Sequence, residues 1–152
     1  MTRSIVEQAH DMYDAVPYEV PVPDESLYGL LDDAARLYPD RVALDYFGVT
    51  TTYAQVRDQV QKAARVLHEA GVGPGDTVAI ALPNCPQAFV AFYACMRIGA
   101  VAAQHNPLAP ASEIAGQLDR HGGKVAIVWE KCVDAYPLGV LDTVFTVDIS
   151  HG

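Results

Sequence analysis

Apolar positions recur at helical spacing, then as short unbroken runs, and the two patterns alternate along most of the chain. Leu27, Leu30, Leu31, Ala34, Ala35 and Tyr38 repeat every three or four residues, which predicts an inward stripe on a helix over Leu27–Tyr38. Ser26 is placed to cap it, Asp32 and Arg36 are spaced to pair on its wet side, and Pro39 stops it. The segments Val42–Tyr46 and Val49–Thr52, either side of Phe47-Gly48, read as a strand pair. Val56, Val60, Ala63, Ala64 and Leu67 then line one face of a long helix over Tyr53–Ala70. Asp58–Lys62 and Arg65–Glu69 are spaced for pairing on its exposed side, and Gly71 ends it.

Thr77–Leu82 is short and almost wholly apolar, as a strand covered on both faces should be. Pro83 closes it, and Asn84 and Pro86 predict the start of the next helix, Gln87–Ile98. That helix is apolar nearly all round, so burial on more than one side is expected. A strand Val101–Gln104 follows, then a helix Ser112–His121 with Ile114, Ala115 and Leu118 inward. Strands Lys124–Val128 and Val144–Val147 complete the series. Alternating strands and helices imply right-handed crossovers and an α/β fold: a mostly parallel layered sheet with flanking helices.

The first residues read differently. Met1–Tyr13 has the pattern of a short amphipathic helix, and residues 16–24 carry three prolines, which favour an extended arm lying across a surface. Two parts are therefore expected: an N-terminal helix and Pro-rich arm over 1–25, and an α/β subdomain over 26–152.

Composition narrows the function classes. At 152 residues and 51% hydrophobic, the chain is long and apolar enough for one real core. Its net charge of −9 disfavours nucleic-acid partners, because phosphate backbones repel an acidic surface. Cys85, Cys95 and Cys132 are odd in number and form no C-x-x-C pair, which fits a reducing cytoplasm better than a disulfide framework or a zinc site. The N-terminus lacks the apolar stretch of a signal peptide, and Ala88–Met96 is too short to span a bilayer.

Few motifs survive scrutiny. Gly71-Val72-Gly73-Pro74-Gly75 follows a predicted helix and opens a strand, the reverse of a dinucleotide-binding glycine loop. Gly122-Gly123-Lys124 also leads into a strand and lacks the Ser or Thr of a phosphate loop. Asp32 and Asp33 are helix neighbours that point apart, so they do not make an acid/base pair. No serine-nucleophile elbow and no metal-ligand histidine spacing occur. His105 and Asn106 remain as substrate-contact candidates, because they follow the end of a strand, where open α/β sheets bind ligands. No catalytic, cofactor-binding or metal-binding residue is assigned.

Taken together, the joints resemble the start of the adenylate-forming (AMP-binding) superfamily. The pieces are Thr52-Tyr53-Ala54-Gln55-Val56, then residues 70–79 (AGVGPGDTVA), Leu82-Pro83-Asn84-Cys85-Pro86, Gly99-Ala100-Val101 and Asn106-Pro107-Leu108. The resemblance covers roughly Ser26 to Val147, and the lead-in over residues 17–44 is similar to the long-chain fatty acyl-CoA synthetase branch. It implies the first part of the large N-terminal domain of a fatty-acid–CoA ligase. Such an enzyme uses ATP, Mg²⁺ and coenzyme A: a carboxylate is adenylated, then transferred to the thiol of coenzyme A.

The family's phosphate loop, adenine and ribose contacts and catalytic lysine do not occur in this sequence. The implied role is a scaffold inactive alone, with the remainder of the enzyme as its partner and self-association through exposed apolar surface. A freestanding α/β interaction module, and an aryl- or amino-acid-activating relative, are the alternatives.

Overall fold

The structure is a computed structural model and describes residues 24–149. The expected N-terminal helix and nearly all of the Pro-rich arm lie outside those residues.

Helix α1 spans Leu27–Leu37, and the Ser26 hydroxyl oxygen accepts from the Gly29 N–H at 3.3 Å. Only Leu31 and Ala35 are fully buried; Leu27, Leu30 and Tyr38, expected to face inward, are about half exposed. Arg36 pairs with Asp33 at 2.6 Å rather than with Asp32. Asp32 turns towards the next helix instead, accepting from the Tyr28 hydroxyl and lying 3.9 Å from Arg57.

Strands β1 (Val42–Tyr46) and β2 (Val49–Thr52) form an antiparallel hairpin of their own. Its two-residue turn puts Phe47 at φ 51° and Gly48 at φ 85°, the left-handed geometry that matches the twist of a hairpin. Asp45 supports the turn by accepting from the Gly48 N–H at 3.0 Å.

Helix α2 (Tyr53–Glu69) starts at once, because Thr52 is both the last strand residue and the N-cap. Thr52 and Gln55 exchange side-chain-to-backbone hydrogen bonds in a capping box, for which T-x-x-Q is the sequence signal. Val56, Val60, Ala64 and Leu67 are buried along one face. Lys62 pairs with Asp58 at 2.7 Å on the other.

The main sheet contains β3 (Thr77–Ala81), β4 (Val101–Gln104), β5 (Val125–Trp129) and β6 (Thr143–Val147), in the order β4-β3-β5-β6 and all parallel. Alternation along the strands sends two different side-chain sets to the two faces. Val78, Ile80, Val125 and Ile127 pack under α2 and α3. Ala79, Ala81, Ala126 and Val128 pack under α4, and three alanines in that set let the helix approach closely.

Helix α3 (Pro86–Ile98) is indeed buried on two sides. Ala91, Ala94 and Cys95 join the sheet cluster, while Phe89, Val90 and Tyr93 join a second cluster with α1 and α2. Its N-cap is Cys85 and not Asn84; Asn84 is exposed, and proline at the first helical position removes one donor needing a cap. Gly99 ends the helix in left-handed geometry at φ 72°.

Helix α4 spans Ala111–His121 with Ile114 and Leu118 buried, but Ala115 faces solvent. Two short 3₁₀ helices, Glu130–Ala135 and Leu138–Val140, link β5 to β6 and have no sequence periodicity to announce them. Cys85, Cys95 and Cys132 are all buried and free. Among the described residues, no helix is long and apolar enough to cross a membrane.

Candidate functional site

The turn after β4 is built by its own side chains. The His105 N–H donates to the Ile80 carbonyl at 2.9 Å, carrying the β3–β4 ladder one residue past the strand. Asn106 is exposed, and its Oδ1 accepts from the Leu108 N–H at 3.0 Å, so its side chain folds the turn back.

His105 is 7% exposed and engages both ring nitrogens. Its Nδ1 lies 3.1 Å from the Tyr136 hydroxyl, and its Nε2 lies 3.0 Å from Nε2 of His121. His121 Nδ1 accepts from the Gly123 N–H at 3.0 Å.

These contacts fix the protons. A backbone N–H is always a donor, so His121 Nδ1 is bare and its proton is on Nε2. That proton points at His105 Nε2, which must also be bare. The His105 proton is then on Nδ1 and donates to Tyr136. Burial first, then the neighbouring His121 ring, lowers the His105 pKa. Burial first, then Arg120, lowers that of His121. Burial also pushes the Tyr136 hydroxyl up to about 12. Two neutral imidazoles thus tie the β4 turn, the end of α4 and the first 3₁₀ helix together.

Two open clefts lie on the opposite face of the sheet. One, of about 480 Å³, runs between the hairpin, the start of α3 and the end of β4, with Asp45, Asn84, Phe92 and Gln104 in its wall. The other, of about 520 Å³, is lined by apolar residues of α2, α3 and β6, including Val66, Val90, Phe145 and Val147. Lys62 reaches its rim, but its ammonium is already held by Asp58. Among the described residues, no group of three or more His, Cys, Asp or Glu could hold a metal ion.

The sequence candidates therefore separate: Asn106 is at the surface, and His105 is inside. Sequence reasoning missed His121 and Tyr136 as partners of His105. The only local signal was Gly122-Gly123 after His121, which lets the chain turn back under the imidazole.

A family model described as AMP-binding enzyme matches residues 31–149. The chain belongs to this family. It is 30% identical over 138 residues to the long-chain-fatty-acid–CoA ligase of Bacillus subtilis, a match covering 88% of this chain and 25% of the ligase. It is 40% identical over 77 residues to a salicyl-AMP ligase of Mycobacterium tuberculosis, covering 47% of this chain and 14% of that protein.

Among solved structures, a fatty acyl-CoA synthetase of M. tuberculosis superposes with a TM-score of 0.70 at 28% identity, over 82% of this chain and 27% of the other. The N-terminal subdomain of NpsA from Klebsiella oxytoca, in complex with anthranilyl-AMSN, gives 0.72 at 29% identity, over 80% and 31%. The chain thus spans about a quarter or less of the length of the curated AMP-binding relatives it matches.

Proposed function

We propose that this chain is the first α/β portion of the large N-terminal domain of an ATP-dependent fatty-acid–CoA ligase, and that it acts as scaffold within that enzyme. One observation carries the fatty-acid reading. Similarity to the long-chain ligase extends over 88% of the chain, against 68% for an oxalate–CoA ligase, 49% for an acetyl-CoA synthetase and 47% for the salicyl-AMP ligase. In the complete reaction a carboxylate oxygen attacks the α-phosphorus of ATP and pyrophosphate leaves. The coenzyme A thiol then takes the acyl group and AMP leaves.

None of these steps is routed through a residue of this chain. The described residues offer no cluster for Mg²⁺, and both glycine turns lead into strands rather than helix N-termini. What the chain does is hold shape. The β3–β5 core fixes the sheet, and the two clefts under α3 are apolar surface for the rest of the enzyme to cover. His105 contributes from behind, by anchoring the turn that presents Asn106 at the carboxyl end of β4. We place the enzyme in the cytoplasm, a compartment in keeping with three free buried cysteines.

An aryl-acid substrate is the second reading, favoured by the likeness to NpsA, which is equal to that of the fatty acyl synthetase. ATP–pyrophosphate exchange tests both, on the protein extended to the length of its relatives and assayed with fatty, aryl and amino acids. The strongest exchange is expected with a fatty acid. Faster exchange with an aryl or amino acid would overturn the fatty-acid assignment.

A further inference from the structure

The hydrogen-bond chain from Gly123 through His121 and His105 to Tyr136 has three links, and each takes one hydrogen. The Gly123 N–H fills the first, against His121 Nδ1. The His121 proton fills the second, against His105 Nε2, and the His105 proton fills the third, against the Tyr136 hydroxyl. A further proton has no place. On either bare nitrogen, or passed from one ring to the other, it sets two hydrogens against each other in the first or second link.

The members of the chain are not equally free to move. Gly123 is buried, with no room at its Cα beside the Thr77 carbonyl. His105 is buried, and its backbone N–H is tied to Ile80. His121 is the last residue of α4, and its ring is the half-buried one of the pair. We propose that the chain is a proton-operated latch: one proton taken up at His121 turns that ring out to water and releases the β4 turn, with Asn106 and Leu108 at its tip, from the end of α4. The turn keeps its ties to Ile80 and Tyr136, so the release is local and the sheet stays paired.

The surroundings favour the closed, neutral state. From α4, Arg120 opposes a positive charge on His121, and Asp119 is exposed. From the first 3₁₀ helix and the residue after it, Cys132 acts on Tyr136, Lys131 lies over the Trp129 ring, and Glu130 and Asp134 are exposed. Lys124, beside Gly123, is held by the Val140 carbonyl. No carboxylate moves the pKa of either ring, and burial lowers both. The latch is therefore shut at neutral pH and opens below the ordinary histidine value of 6.5. It concerns the turn itself and holds for any carboxylate substrate of the enzyme.

The test is a pH series on the full 152-residue chain, ¹⁵N-labelled. At pH 8 the ring-nitrogen shifts should place the proton on Nδ1 of His105 and on Nε2 of His121. Below the midpoint of the pair, hydrogen exchange at the Gly123 amide, corrected for its intrinsic rate, should speed up about tenfold per unit of pH, the slope of a one-proton opening. The Leu108 amide should shift with the same midpoint. The amides of Val56 and Val60, in the cluster beneath α1, should stay unchanged over that range. His121→Gln should abolish both responses. The opposite tautomers, pH-independent exchange at Gly123, or a response that persists in His121→Gln would overturn the proposal. Exchange that rises equally at Gly123, Val56 and Val60 would overturn it too, because the proton would then be unfolding the whole protein.

Discussion

Replacing Gly123 with alanine is expected to destabilise the protein by about 2–3 kcal/mol, the upper part of the range for overpacking a filled site. The cause is contact, not backbone strain, since Gly123 is not among the glycines with positive φ. A Cβ there would stand 2.7 Å from the Thr77 carbonyl oxygen and 3.0 Å from the His121 ring. Neither neighbour yields easily. Thr77 opens β3 and is paired to Val101, and the His121 ring is pinned between Gly123 and His105. Gly116 is the control. A Cβ there meets nothing within 4 Å, so Gly116→Ala inside α4 should stabilise by about 0.5–1 kcal/mol. Urea unfolding of the two variants reads both signs. An unchanged midpoint for Gly123→Ala would refute the packing described for this turn.

Acidification is expected to unlock the same region. Both histidines are held below the ordinary value of 6.5, so the unfolded chain binds protons that the folded chain refuses. Stability then rises with pH wherever that difference exists. The contribution is complete above about 6.5 and is lost as pH falls from there towards the folded values. A proton on His105 Nε2 would face the proton of His121 Nε2, and a proton on His121 Nδ1 would displace the Gly123 N–H. Arg120 at the end of α4 adds repulsion to the charged form of His121. Melting temperatures between pH 8 and 5 should fall in the wild type. In His105→Gln/His121→Gln the fall below 6.5 should be shallower, with a loss of about 1 kcal/mol at pH 8 from the missing hydrogen bonds. An identical acid limb in both proteins would remove the histidines as its origin.

Most of the fold was legible in the sequence, because parallel strands covered on both faces must read as apolar runs and Thr77–Ala81 does. Gly99 and Gly122 were legible helix ends, since left-handed residues after a helix favour glycine. Helix α1 misled for a physical reason. Leu27, Leu30, Leu31, Ala34 and Ala35 make two adjoining stripes, and periodicity does not tell which one the described fold covers. The ion pair misled similarly: Asp32 and Asp33 both lie within reach of Arg36, and the competing pull of Arg57 from α2 is a tertiary fact. Of the histidine chain, only His105 and the Gly122-Gly123 turn stood out in the sequence; the pairing of the two rings did not. Sixteen residues and a whole helix separate its two rings, and only the crossover geometry brings them to 3.0 Å.

Calorimetric titration of the 152-residue chain with a non-hydrolysable acyl-sulfamoyl adenosine tests the scaffold role most directly. No saturable heat is predicted, because the described residues hold no cluster for a metal ion and both glycine turns lead into strands rather than helix N-termini. Tight one-to-one binding by these residues alone would contradict the account.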